Sequence, residues 1–258
     1  MMRVFSIAFV VFFMGCDDSC ENKNDLIEAI VNGGGVPYEY RYDYDIYKEC
    51  KGFSPLWYAA KKKEKNMAEK LLDGGWPIGE KKIGESSSSP EIAWFFYTNG
   101  WRDLIPDEFD LQKRWNGEGL YLHSCEYGGL ASIADSMAMF SKNDIGDDGG
   151  NCFHRLAAAR NSTKTLEDGV VPYLLGEGVQ LNQIDHFGNT ALGRAVNFHS
   201  FYKKDSLKEY LLKFSELLLE NGASPNVSAT DLTPLEFAII EGDSDMVQLL
   251  RKYQGKEK

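Results

Sequence analysis

An all-α fold of stacked helix pairs is the architecture this sequence predicts, and three observations carry it. The first is a repeat: Asn189-Thr190-Ala191-Leu192-Gly193-Arg194-Ala195 recurs as Leu232-Thr233-Pro234-Leu235-Glu236-Phe237-Ala238. The second is the way each copy starts. Its threonine hydroxyl is placed to accept a first-turn amide hydrogen bond, and a proline there has no amide to leave unsatisfied. The third is the apolar segment that follows, Phe214-Ser215-Glu216-Leu217-Leu218-Leu219-Glu220-Asn221-Gly222-Ala223. Leu217, Leu218 and Leu219 are expected to face a core, and Asn221-Gly222 to stop the helix in the left-handed conformation. The turn Ser224-Pro225-Asn226 then leads into the second copy.

The same frame runs back through the chain. Ser54-Pro55-Leu56-Trp57-Tyr58-Ala59-Ala60 pairs with Ala68-Glu69-Lys70-Leu71-Leu72-Asp73-Gly74-Gly75. Leu120-Tyr121-Leu122-His123-Ser124-Cys125 opens a unit that continues through Ile133 to Phe140. Asn151-Cys152-Phe153-His154-Arg155-Leu156-Ala157 opens the next, which closes at Tyr173-Leu174-Leu175-Gly176-Glu177-Gly178. Asp25–Gly34 reads as a lone second helix, and Glu91–Gly100 as another whose first helix is shortened around Ser86–Ser89. These starts and stops resemble the ankyrin repeat, with its Thr-Pro-Leu-His-type opening, its Leu-Leu-x-x-Gly-Ala ending and its β-turn finger. The resemblance covers residues 23–253 and implies a solenoid of about six helix-turn-helix units, some degenerate. The start positions 56, 122, 153, 192 and 235 are separated by 66, 31, 39 and 43 residues. Against a period of about 33, the first interval hides a degenerate unit and the later ones carry insertions. No single unit can bury its own apolar face, so stability resides in the neighbour interfaces. The helix Asp245–Tyr253 and a polar tail over 254–258 read as the close of the array.

The N-terminus reads as a leader. Val4–Met14 is almost wholly apolar after the weakly basic Met1-Met2-Arg3. It is too short for a bilayer span, which needs about 20 apolar residues, and has the length of a secretory signal core. Phe13-Met14-Gly15-Cys16 resembles a bacterial lipobox, although Phe13 and Met14 depart from the small or aliphatic residues usual there. This predicts a signal peptide over 1–15, a lipid on Cys16 and a flexible tether over 16–22. The competing reading is an ordinary cleaved signal with Cys16 a plain thiol. Asp17 resembles the inner-membrane retention signal of enterobacterial lipoproteins, so the expected location is the periplasm, lipid-anchored, on that membrane. Cys20, Cys50, Cys125 and Cys152 permit two disulfides in an oxidising compartment, with all three connectivities open.

Few residues suggest chemistry. Of four histidines, His123 and His154 fall where ankyrin repeats place a histidine that bridges backbone groups of the turn. His186 lies in the loop before a repeat, and His199 in an inserted stretch. There is no HExxH, no Cys/His cluster at zinc spacing, no nucleophile elbow and no phosphate-binding loop. Asp144, Asp147 and Asp148 fall short of a calcium-loop pattern. No metal, cofactor or catalytic residue is therefore expected. Ser86–Ser89 is most simply a flexible loop.

What stands out suggests contact with a partner. Pro37–Tyr47 alternates tyrosine with charge, a strand-like pattern expected to form an extended hairpin with Tyr38, Tyr40, Tyr42 and Tyr44 on one face and Asp43 and Asp45 on the other. Those tyrosines either pack on the first repeat or form a binding hot spot. With Glu39, Asp147, Asp148, Asp185 and His186, they make up the expected partner-facing set. The net charge of -11 argues against nucleic acid and for a protein with a basic surface. The resemblance thus implies a non-catalytic interaction module. Ankyrin-repeat lipoproteins also resemble periplasmic immunity proteins, which occlude secreted antibacterial toxins such as lipase-like effectors. The rival readings are an envelope hydrolase acting through His154 or His186, and a structural envelope lipoprotein.

Overall fold

The computed structural model describes residues 54–79, 89–115, 117–158, 163–202, 205–227 and 232–254. The leader, Cys16, the tether, Cys20, Cys50, the helix expected at 25–34 and the tyrosine-rich segment at 37–47 lie outside the described residues. The chain forms two compact units, Met1–Asp107 and Glu108–Lys258. Among the described residues all regular structure is helical, apart from an isolated bridge between Trp115 and Glu118.

In the first unit, α1 (Pro55–Lys62) and α2 (Lys65–Asp73) form a hairpin. Ser54 caps α1, its Oγ accepting the Trp57 amide at 3.1 Å, and Pro55 takes the first turn. The next helix, α3 (Glu91–Thr98), packs against α1 rather than α2. That is the place of a first helix, which corrects the expectation of a second one. Its partner is reduced to the single 3-10 turn Arg102–Leu104, tied to α2 by the Lys65–Asp103 ion pair at 2.8 Å. Every residue of α3 except Glu91 is buried, so the segment is apolar all round and its periodicity does not reveal which face meets which neighbour.

The second unit holds α4 (Leu120–Tyr127), α5 (Leu130–Met139), α6 (Cys152–Leu156), α7 (Thr163–Glu167), α8 (Val170–Gly176), α9 (Ala191–Phe201), α10 (Asp205–Glu220), α11 (Pro234–Ile240) and α12 (Ser244–Tyr253). The first helices α4, α6, α9 and α11 pack in sequence, and α4, α9 and α11 each pack on the second helix that follows. Leu122, Ile133, Phe153, Leu156, Leu192, Val196, Phe214, Leu218, Met246 and Leu250 form one continuous apolar interior across the four repeats. Burying each such side chain fully contributes about 1.5–3 kcal/mol. Leu218 and Leu219 are buried as expected, while Leu217 is only partly covered. The second helix of the α6 repeat is broken into α7 and α8 at Asp168-Gly169, where Gly169 has φ 87°.

Helix starts follow the cap chemistry. Thr190 accepts the Gly193 amide at 3.1 Å, and Thr233 forms a reciprocal capping box with Glu236. Asn151 does the same with His154 in place of the usual acid. The α4 start differs: Gly119 occupies the cap position, its carbonyl accepting the His123 amide at 3.0 Å. His123 is therefore one residue further from its cap than His154. Its ring lies 4.7 Å from that of Tyr127. Cys125 and Cys152, both fully buried, form a disulfide that joins α4 to the start of α6.

Candidate functional site

Between successive helix pairs of the second unit the chain turns through finger loops, and polar side chains tie each finger to the next. Asn151 donates from Nδ2 to the Gln180 carbonyl at 2.7 Å, and Gln183 donates from Nε2 to the Gly149 carbonyl at 2.7 Å. The His186 amide reaches the Asp148 carbonyl at 2.8 Å. Further along, Asn182 accepts the Ser224 amide at 3.1 Å. The fingers are thus held by fixed hydrogen bonds although they carry no regular structure.

Beneath them runs a ladder of alternating charge. The fourth residue after the cap is arginine in two successive repeats, Arg155 after Asn151 and Arg194 after Thr190. Arg155 grips the Asp148 carboxylate with both terminal nitrogens at 3.0 and 2.8 Å and contacts Glu118 at 2.5 Å. Arg194 bridges Asp148 at 3.0 Å and Asp185. Asp185, only 4 % exposed, also accepts the amides of Phe187 and Asn189 at 2.9 and 2.8 Å and so shapes its own finger. Glu118, Arg155, Asp148, Arg194 and Asp185 thereby link three consecutive fingers. Burial alone would raise the Asp148 carboxyl, but the two guanidiniums outweigh it and hold the group well below the usual carboxylate range. Three carboxylates face two cations, so one negative charge is in excess. Glu118 takes that surplus: burial pushes it up to about 7 despite Arg155.

Two glycines make the close packing possible. Gly149, at φ 76°, leaves room for the His186 ring, since a Cβ there would lie 2.7 Å from it. A Cβ on Gly146 would stand 2.0 Å from the Arg155 guanidinium.

The sequence-predicted set therefore divides. Asp147 and His186 are exposed on neighbouring fingers. Asp148 and Asp185 stand beneath them with their charges already matched by arginine, so they are not free to steer a partner. Tyr38, Tyr40, Tyr42, Tyr44, Asp43 and Asp45 lie outside the described residues. Sequence reasoning passed over the ladder's arginines, although their shared register was readable. It also passed over the exposed apolar side chains of the fingers: Ile145 is 41 % exposed, Ile184 40 % and Phe187 61 %. Asp144 is bound to Arg114, and among the described residues no group of His, Cys, Asp and Glu converges on a metal position.

His154 and His199 are engaged in structure. His154 Nδ1 accepts the Asn151 amide at 3.2 Å, and Nε2 meets the Asn189 carbonyl at 3.1 Å, so Nε2 carries the proton. Burial, with the Arg194 charge adding to it, lowers this ring to about 4. His199 is buried within α9, and its Nδ1 lies 2.6 Å from Asp243. Asp243 in turn caps α12 by accepting the Met246 amide at 3.2 Å. Ser200 donates to Asp243 at 2.9 Å and not to the imidazole, so the three do not form a relay of nucleophile and base.

No family model matches the chain, and no curated protein does. Among solved structures, an ankyrin repeat domain from Acinetobacter baumannii AYE is similar at 21 % identity over 78 % of this chain and 97 % of that one, with a TM-score of 0.50. A further structure, described as an ankyrin repeat protein, is 20 % identical over 77 % of this chain and 96 % of its own, with a TM-score of 0.44. The first of these, with the capped first helices, the paired second helices and the linked fingers, identifies the architecture: this chain has the ankyrin-repeat fold.

Proposed function

We propose that this chain is a non-catalytic protein-binding module and that the finger ridge of its second unit is the binding face. The observation that carries the reading is Phe187, 61 % exposed on a finger whose backbone is fixed by Asp185. An exposed aromatic on a rigid support loses little entropy on binding, the condition for a hot spot. Ile184 and Ile145 extend the apolar contact, Asp147 and His186 give it a polar rim, and the net charge of -11 favours a partner with a basic surface. The chain is further proposed to sit in the bacterial periplasm, lipid-anchored through Cys16. The disulfide between Cys125 and Cys152 is in keeping with an oxidising compartment. The sharper form of the proposal is an immunity protein that occludes a secreted antibacterial toxin. It rests on the likeness between ankyrin-repeat lipoproteins and such proteins, together with a binding face that needs no chemistry of its own.

The test is capture from the native envelope with the chain as bait, followed by Phe187→Ala. A basic protein should co-purify, and the substitution should weaken its binding by about 2 kcal/mol or more. Retention of full affinity in Phe187→Ala together with Ile184→Ala would remove the finger ridge as the site. A captured partner with no toxic activity would remove the immunity version alone.

A further inference from the structure

The turn between α1 and α2 reads Lys61-Lys62-Lys63-Glu64-Lys65, four cations and one acid in a chain whose net charge is -11. Lys62 and Lys63 are exposed. Lys61 lies over the Trp57 ring at 4.7 Å, and Lys65 is held by Asp103 and, at 3.8 Å, by Glu69. A basic cluster on an acidic protein is a local inversion of charge, and the backbone shows that its third member is placed at a cost. Lys63 has φ 64° and is the one non-glycine among the described residues with positive φ. Five other described helices end in the same geometry, the residue after the left-handed one donating to the carbonyl five positions back: Trp76 to Leu71, Trp101 to Phe96, Val179 to Leu174, Ala223 to Leu218 and Asp243 to Ala238, as Glu64 does to Ala59. At all five of those ends the left-handed residue is glycine: Gly75, Gly100, Gly178, Gly222 and Gly242. Only in the lysine run does a side chain stand where glycine is the unstrained choice.

We infer that this turn is an electrostatic docking surface for an anionic phospholipid membrane. It lies at the junction of the paired helices α1 and α2 in the first unit. Residues 17–60 join it to Cys16, so a lipid there would tether the turn to the membrane, and a few charges suffice when the effective concentration is high. A lipid chain combined with a basic patch is a two-signal membrane attachment, each part reversible alone. A diffusing nucleic acid would have to be held by the same few lysines against the acidity of the whole chain. The membrane occupant rests on the lipid-anchor reading, while the charge dependence is readable without it.

The experiment uses the full chain with Cys16→Ser, sedimented with vesicles of phosphatidylcholine alone and of phosphatidylcholine with phosphatidylglycerol. The apolar run 4–14 contributes to both vesicle types, so the difference between them reports the basic turn. Binding should be stronger to the anionic vesicles, and salt should abolish the difference. Lys63→Gly should weaken anionic binding about five-fold, and adding Lys62→Gln about five-fold again. The melting temperature of Lys63→Gly should be unchanged or higher, because the strained conformation is relieved, so the loss cannot be ascribed to unfolding. Equal binding to both vesicle types, or an unaltered double variant, would overturn the inference. Duplex DNA binding more tightly than the anionic vesicles, with loss in the same variants, would reassign the turn to nucleic acid. Metabolic labelling of wild-type Cys16 with a fatty acid tests the anchor separately, and its failure leaves the vesicle result interpretable.

Discussion

His154 shows how one residue of this fold is committed to structure. Burial disfavours a protonated ring, and Arg194 adds a like charge. The unfolded chain therefore takes the proton first, near 6.5, and the folded ring only at about 4. Its contribution to stability is complete above 6.5 and is lost as pH falls toward 4, a change of about 3 kcal/mol. Glu118 runs the other way. Its folded carboxyl is raised from 4.5 to about 7, so its contribution is complete below 4.5 and is lost as pH rises through 7. In urea unfolding between pH 4.5 and 6.5, the stability of Glu118→Gln should rise more steeply with pH than the parent's, and that of His154→Gln less steeply. Identical slopes in all three would mean that neither group is perturbed as the geometry requires. The ladder also shows the limit of reading charge from sequence. Asp147 and Asp148 are adjacent and chemically identical, yet one is exposed and the other is gripped by Arg155 and by Arg194, 46 residues away. Which acid meets an arginine is decided by stacking, and only the shared register of Arg155 and Arg194 hinted at it.

Among the elements, helix starts were the most legible feature, because Ser54, Asn151, Thr190 and Thr233 each satisfy an amide that helix geometry leaves open. Helix stops were less informative. A glycine after Asn99 ends α3 and one after Asn221 ends α10, although the first is a first helix and the second a second helix. That shared ending is why α3 reads wrongly from sequence: which helix of a pair it is depends on its contact with α1. The break between α7 and α8 follows the same logic, since Gly169 interrupts what the leucine spacing alone would continue. The cysteine pairing was beyond sequence altogether, because three connectivities satisfy the count. The bond found closes a loop of 27 residues across the α4 and α6 repeats. By the chain-entropy relation its removal should cost about 3–4 kcal/mol. Cys125→Ser with Cys152→Ser, unfolded in urea beside the parent, checks this, and an unchanged midpoint would show that packing alone fixes those two repeats.

For the molecule as a whole, charge and fold serve different steps of binding. A net charge of -11 acts over distance, and about 8 Å of Debye screening at physiological salt limits it. The finger ridge, as the proposed binding face, would act only on contact. Added salt should therefore slow association with a basic partner and leave dissociation nearly unaltered, whereas Phe187→Ala should speed dissociation and leave association nearly unaltered. Stopped-flow or surface-based kinetics at two salt concentrations separates the two, and salt acting mainly on dissociation would place the charges inside the contact. This division was partly legible at the start. Acidity and an interaction role were readable from composition and repeat, but the apolar finger side chains were not, because an isolated Phe in a loop carries no pattern.

The sulfurs of Cys125 and Cys152 lie wholly inside the second unit, out of reach of any reagent in solution. Thiol exchange needs direct access to a sulfur, so a mild reductant can act only in moments when neighbouring repeats part. The speed of reduction is then a clock for that parting, built into the protein without any added label. If a partner clamps across adjoining fingers, the clock slows in proportion, and occupancy becomes measurable by counting free thiols over time.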